Sequence, residues 1–219
     1  MKKYIPYLMH TQLFSGVKED EIPQVLECLD AHIVKYKAGE YVFRQGEHIK
    51  SITLLVDGKL HIQRYDYWGN GNIINIIETG EMFGEAYVTP NSETLINNVI
   101  AVEDSTVLFL NSEKIISVCP NLCRFHLIIM RNLIYAISDK NRKLVQKLAY
   151  MSNRTTREKL TAYLSDESER QKNSTFTIPF NRQQLADFLS VDRSAMSNEL
   201  SKMRNEGLIK FNKSKFTLL

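Results

Sequence analysis

Cysteine is scarce in this 219-residue sequence, with only Cys28, Cys119 and Cys123 present. Three thiols so unevenly placed make no disulfide framework, and they suit a reducing compartment. They also fall one short of the four thiolates that hold an iron–sulfur cluster. Cys119, Cys123 and His126 have the i, i+4, i+7 spacing of one helical face. Pro120 disturbs that turn, however, and three ligands usually want a fourth, so small apolar thiols rather than a metal or cofactor site are expected. None of the five histidines, His10, His32, His48, His61 and His126, forms an H-x-H pair. This argues against cupin-type metalloenzyme barrels, which set several histidines on adjacent strands, and no enzyme is expected. No uncharged apolar run approaches the roughly 18 residues of a membrane span, and Met1-Lys2-Lys3-Tyr4-Ile5-Pro6 lacks the apolar core of a signal peptide. A cytoplasmic protein without a membrane partner is the expectation.

What is present is ordinary globular composition, 43% hydrophobic and 24% charged, enough for one large or two modest domains. The net charge of +3 conceals an asymmetry: residues 151–219 carry 12 Lys/Arg against 8 Asp/Glu, whereas residues 1–150 carry 16 against 17. A polyanionic partner is therefore sought first in the last third. From about Ala31 to Leu110 short β-rich stretches recur (34–36, 41–43, 52–56, 60–65, 73–77 and 106–110), punctuated by Gly39, Gly46, Gly58, Gly69, Gly71, Gly80 and Gly84. Strands this short between turn signals predict a small antiparallel roll, with hairpin turns at Asp57-Gly58 and Gly69-Asn70-Gly71.

Pro120 to Met151 contains no glycine and no second proline. It predicts one helix of about 45 Å, with Pro120 in the first turn. Ile129/Met130, Leu133, Ile137, Leu144 and Leu148 form a one-sided stripe, interrupted at Ser138–Lys143, and a two-helix dimer seam is expected along it. A second helix is predicted over Arg154–Leu164, then a polar linker over Asp166–Thr175. Asn181 and Gln184 have capping-box spacing ahead of Leu185, Phe188 and Leu189. After Ser190-Val191-Asp192, Asp192 can cap a helix Arg193–Glu206 closed by Gly207. This is a helix-turn-helix plan, and the stretches flanking Asn212-Lys213-Ser214 read as a wing. Ala195, Met196, Leu200 and Met203 are expected to pack inward. Arg193, Ser194, Ser197, Asn198 and Lys202 then face outward with the chemistry that major-groove readout of duplex DNA needs. Arg182 and Lys213 complete the candidate DNA-binding set.

With Gly39-Glu40, Gly46-Glu47, Gly58 and Gly80-Glu81-Met82-Phe83-Gly84-Glu85 in one half, and 189–200 with Glu206-Gly207-Leu208-Ile209 in the other, the chain resembles the CRP/FNR family of transcription regulators over nearly its full length. The resemblance implies an α+β protein. Its parts would be an antiparallel, jelly-roll-like sensory β-roll (1–119), a long dimerisation helix (120–150) and a C-terminal winged helix-turn-helix (151–219). It implies double-stranded DNA, a second copy of the chain, RNA polymerase and a small-molecule effector as partners. Glu85 matches the glutamate that accepts the ribose 2′-hydroxyl in cyclic-nucleotide sites. The Arg-Ser or Arg-Thr pair that should hold the cyclic phosphate falls on Leu95 and Ile96, so an effector other than cyclic AMP or cyclic GMP is expected. The candidate effector set is Glu85, Tyr87, Leu95, Asn97, Tyr135 and Asn141. Arg193 matches the family arginine expected to read a guanine. Ser194 and Asn198 replace a glutamate and a second arginine, so the operator should differ. A ligand-independent dimeric repressor is the alternative reading.

Overall fold

A computed structural model describes residues 2–65, 67–68, 71–87, 94–117 and 123–219. Two compact units, Met1–Ser138 and Asp139–Leu219, make up the chain. In the first, helices α1 (Ile5–Leu8) and α2 (Ile22–Cys28) precede strands β1 (His32–Tyr36), β2 (Tyr41–Phe43), β3 (Ser51–Asp57), β4 (Lys59–Tyr65), β5 (Gly71–Glu78), β6 (Met82–Phe83), β7 (Asn98–Ala101) and β8 (Ser105–Asn111). Helix α3 (Ser112–Ile116) follows, and the division between the units falls within helix α4 (Arg124–Met151). The strands form two antiparallel four-stranded sheets, ordered β1-β8-β3-β6 and β2-β7-β4-β5.

Within the first sheet β3 and β8 are buried on both faces, which explains why they read as continuous apolar runs. Ile52, Leu54 and Val56 of β3 and Leu108 and Leu110 of β8 join a core with α1, α2 and residues Phe125, Ile129, Leu133 and Ala136 of α4. The alternate residues, Leu55, Val107 and Phe109, join Val42, Leu60, Ile77, Val99 and Ala101 between the sheets. One strand pair thus nucleates two cores, as the period-2 geometry of a strand allows.

The six strands expected from the sequence are present, and β6 and β7 are additional. Two residues leave β6 too short for any periodic signal, and β7 opens on a polar asparagine. The short helices α1 and α2 were likewise not anticipated. Asp57-Gly58 is not a hairpin turn: β3 and β4 lie in different sheets, and Gly58 carries the chain across between them with φ +98°. The β4–β5 hairpin does form, with Tyr65 opposite Gly71, although Gly69 and Asn70 lie outside the described residues, as do Cys119 and the Pro120 first turn. The stripe on α4 is divided: Ile129 and Leu133 are buried within their own unit, whereas Ile137, Leu144 and Leu148 are exposed.

The second unit contains α5 (Thr156–Gln171), β9 (Thr175–Thr177), α6 (Arg182–Leu189), α7 (Arg193–Asn205), β10 (Ile209–Asn212) and β11 (Lys215–Leu218), with the strands in the order β10-β11-β9. Its core gathers Tyr150, Leu160, Tyr163, Leu164, Leu185, Leu189, Met196, Leu200, Met203, Ile209 and Phe216. The expected linker Asp166–Thr175 is instead mostly helix, its first polar residues held by partners on α4 and along the helix itself. Asp166 Oδ2 accepts from the Tyr150 hydroxyl at 2.8 Å and from Gln146 Nε2 at 3.1 Å. Buried Glu167 accepts from Arg170 and Gln171. Burial and the neighbouring Asp166 carboxylate push the Tyr150 phenol well above its usual range.

Gly58 offers a direct check on the crossover between sheets. A Cβ there would lie 2.4 Å from Ser105 Oγ and 2.8 Å from the Asp104 carbonyl oxygen, in a backbone region that side-chain-bearing residues avoid. Gly58→Ala is expected to lower the unfolding free energy of the roll by about 2–4 kcal/mol, read as a fall in the urea midpoint. An unchanged midpoint would contradict the crowding described.

Candidate nucleic-acid interface

One reciprocal cap and one simple cap build the pair α6–α7. Asn181 Oδ1 accepts from Gln184 N at 3.0 Å and Gln184 Oε1 accepts from Asn181 N at 2.9 Å, so the expected capping box is formed. Ser190 ends α6 in the left-handed region, with φ +51°. Asp192 then starts α7, its Oδ1 accepting from Ala195 N at 2.8 Å and Ser194 Oγ at 2.5 Å. These hydrogen bonds hold its carboxyl below the usual range.

Met196, Leu200 and Met203 are buried at i, i+4, i+7 spacing and fix which face of α7 turns inward. Ala195 does not pack inward as expected. It is exposed, lying about 100° around the helix from Met196. Arg193, Ser194, Asn198 and Lys202 are exposed, and Ser197 is half-buried with its hydroxyl donated to the Arg193 carbonyl at 2.9 Å. Five of the seven candidate DNA contacts thus lie on one short helix.

A side chain that sequence reading missed ties this helix down from below. Arg157, on α5, donates from Nε to Glu199 at 2.5 Å and from Nη1 and Nη2 to the two carboxylate oxygens of Glu206 at 2.8 and 2.7 Å. The fork spans the middle and the C-cap of α7. Arg157 is drawn well above and Glu199 and Glu206 below their usual ranges, chiefly by these hydrogen bonds. In the wing, Lys213 sits between β10 and β11 with φ +51°, exposed. Lys210 and Lys215 are exposed beside it, cations that the strand pattern alone did not single out. Arg182 is half-buried, its guanidinium 4.7 Å from the Phe211 ring centroid and 5.2 Å from that of Phe216. It therefore stacks the start of α6 on the wing, and burial lowers its pKa.

The effector set is less tightly gathered. Glu85 and Tyr87 are half-buried on one short 3-10 turn. Leu95 is buried, its backbone bonded to Gly46 and Glu47, and Asn97 Oδ1 is buried with no donor among the described residues. Tyr135 and Asn141 are exposed on α4. Among the described residues no group of three metal-ligating side chains gathers, and no helix is long and apolar enough to cross a membrane.

Residues 33–121 match the family model of the cyclic nucleotide-binding domain, and residues 158–219 that of the Crp-like helix-turn-helix domain. The chain belongs to the CRP/FNR family. This family member is a DNA-binding regulator with a cyclic-nucleotide-binding-like domain. It is 23% identical to the cyclic AMP receptor protein of Thermus thermophilus over 198 residues, 90% of this chain and 88% of that one. The crystal structure of the Thermus thermophilus catabolite activator protein superposes with a TM-score of 0.51 at 22% identity, covering 95% and 94% of the two chains, a likeness of fold. Human cGMP-dependent protein kinase 2 is 24% identical over 113 residues; the match takes in 51% of this chain and only 15% of the kinase.

The Arg157 fork predicts a pH signature. With folded pKa values depressed, the stabilisation from Glu199 and Glu206 is full above their ordinary value of 4.5 and lost as the pH falls through the folded values. The urea midpoint of the wild type should exceed that of Arg157→Gln at neutral pH, and the gap should close in acid. A gap independent of pH would remove the carboxylates from the interaction.

Proposed function

We propose that this protein is a homodimeric, sequence-specific transcription regulator that answers to a small-molecule effector other than cyclic AMP. The observation that carries the DNA-reading half is the exposed polar row of α7, held by caps, an apolar under-face and the Arg157 fork, beside a wing with exposed Lys210, Lys213 and Lys215. Arg193 is the proposed base reader, since a guanidinium can fork onto guanine O6 and N7. Ser194, Ser197, Asn198 and Lys202 share that face, and Arg182 and Lys213 serve the backbone from α6 and the wing.

Electrostatics supports the choice of effector. Residues 65–113, which include the Glu85 turn and the Leu95–Asn97 segment, contain eight Asp/Glu and no Lys or Arg. A cyclic phosphate set against buried Leu95 would lose its water without gaining a charged donor from that stretch. Asn97 Oδ1, which has no donor among the described residues, suits instead a neutral or cationic ligand that donates a hydrogen bond.

The homodimer rests on α4. Leu127, Ile134 and Leu148 are exposed at multiples of seven, with Asn141 completing the row, and Ile137, Leu144 and Met151 form a second exposed row offset by three. This is the 3.5-residue repeat of a helix-pair seam, in which a single polar residue at such a position fixes register. The seam therefore includes Ile137, Leu144 and Leu148 of the expected stripe, but Leu127 and Ile134 in place of Ile129 and Leu133.

The test begins with selection of the operator from random duplexes, followed by titrations at fixed ionic strength with and without millimolar cyclic AMP. Arg193→Ala should cost about 1–3 kcal/mol on the operator and almost nothing on random DNA, whereas Lys213→Ala should weaken both alike and lower the salt slope by about one. Cyclic AMP should leave every affinity unchanged. Equal losses for Arg193→Ala on both DNAs would make it a phosphate anchor, and tightening by cyclic AMP would overturn the effector argument.

Ile137→Glu combined with Leu144→Glu should give monomers in light scattering, because the charges would be buried at the seam. A dimer that survives would move the interface elsewhere.

A further inference from the structure

Cys28 and His126 lie 98 residues apart in sequence, yet the Cys28 Sγ is 3.7 Å from His126 Nδ1. The other ring nitrogen, Nε2, is hydrogen-bonded to the backbone carbonyl of Lys114. A carbonyl only accepts, so Nε2 carries the proton and the lone pair of Nδ1 faces the thiol. His126 is 5% exposed and so held in that orientation, whereas Cys28 is half-buried and within reach of solvent. Three elements converge here: Cys28 ends α2, Lys114 belongs to α3 and His126 to the first turns of α4. None of these residues enters the DNA-reading row or the effector set.

We propose that Cys28 is a modification site for soft carbon electrophiles of the α,β-unsaturated carbonyl class, with His126 as its proton acceptor. The thiol is a weak nucleophile and its thiolate a strong one, so a tautomer-locked imidazole facing the sulfur supplies the activation that the reaction needs. The sulfur lone pair forms an S–C bond at the β-carbon, and the C=C π pair moves onto the carbonyl as an enolate. The thiol proton, taken by His126 Nδ1, is returned to the α-carbon. The sum is addition of S–H across the double bond, with no oxidant, reductant or leaving group required. The same imidazole takes and gives back one proton, which matches a single base with one open nitrogen.

N-ethylmaleimide is the probe. The full-length protein is treated with less than one equivalent, and labelling of each cysteine peptide is followed over time by mass spectrometry. Cys28 should react about tenfold or more faster than Cys123, which is also half-buried and stands three residues before His126. In His126→Gln the side-chain amide can still donate to the Lys114 carbonyl but cannot take the proton. The Cys28 rate should then fall about tenfold or more while that of Cys123 stays the same. If His126 only packs the helix, its loss would loosen α4 and raise labelling at both cysteines. That result, an unchanged Cys28 rate in His126→Gln, or a wild-type Cys28 no faster than Cys123, would overturn the proposal.

Discussion

Burial of β3 and β8 on both faces is the constraint on which the sensory half depends. A strand presents alternate residues to opposite sides, so a sheet that must satisfy helices on one side and a second sheet on the other has no polar face to spare. Ile52, Leu54, Val56, Leu108 and Leu110 commit one side to α1, α2 and the start of α4, while Leu55, Val107 and Phe109 commit the other to the second sheet. The amino-terminal part of α4 is thereby seated by the core of the roll. Its remaining faces, including Leu127, Ile134 and Ile137, are left outward. Packing on one face of the helix and availability on another are two results of the same burial.

The second unit relies on short-range chemistry. Asn181, Gln184 and Asp192 satisfy helix-end donors within three residues of themselves, and the αL turn at Ser190 angles α7 from α6. Such caps are each worth about 1 kcal/mol, too little to hold a helix against a polyanion, and the buried row Met196, Leu200 and Met203 supplies the larger part. Arg157 adds orientation. Its planar fork engages Glu199 and Glu206 together, so α7 cannot rotate about its axis without breaking one set of bonds.

This division explains how much was legible in the sequence. Caps, the helix-turn-helix and the wing were readable because each depends on neighbours within a few positions, and the outward row of α7 follows from the 3.6-residue period. The glycine-punctuated strands were readable for the same reason. What escaped depended on partners distant in the chain. The Arg157 fork joins residues 42 and 49 positions apart. Asp166 looks like a linker residue until Tyr150, on the preceding helix, reaches it. Gly58 has the composition of a hairpin turn, but the topology of the roll assigns it to a crossover between sheets. On α4 the apolar residues were seen, but no period reveals which of them the chain's own core will claim.

Charge separates the two halves in a way that bears on both ligands. The eight acids and absent bases of residues 65–113 make that stretch of the roll repel a phosphate, while the Lys/Arg excess of residues 151–219 attracts one. A regulator that bound a cyclic phosphate in its roll would need to set a cation against that background. Pairing of two copies would double the number of phosphate contacts, and because each contact releases counterions, affinity and its salt dependence would rise together. Phosphate contacts alone carry no sequence information, so under the proposed reading specificity would come from the exposed side chains of α7. Arg193 and Asn198 are the members of that row with bidentate chemistry for guanine and adenine, and the proposed reading rests discrimination between operators on them.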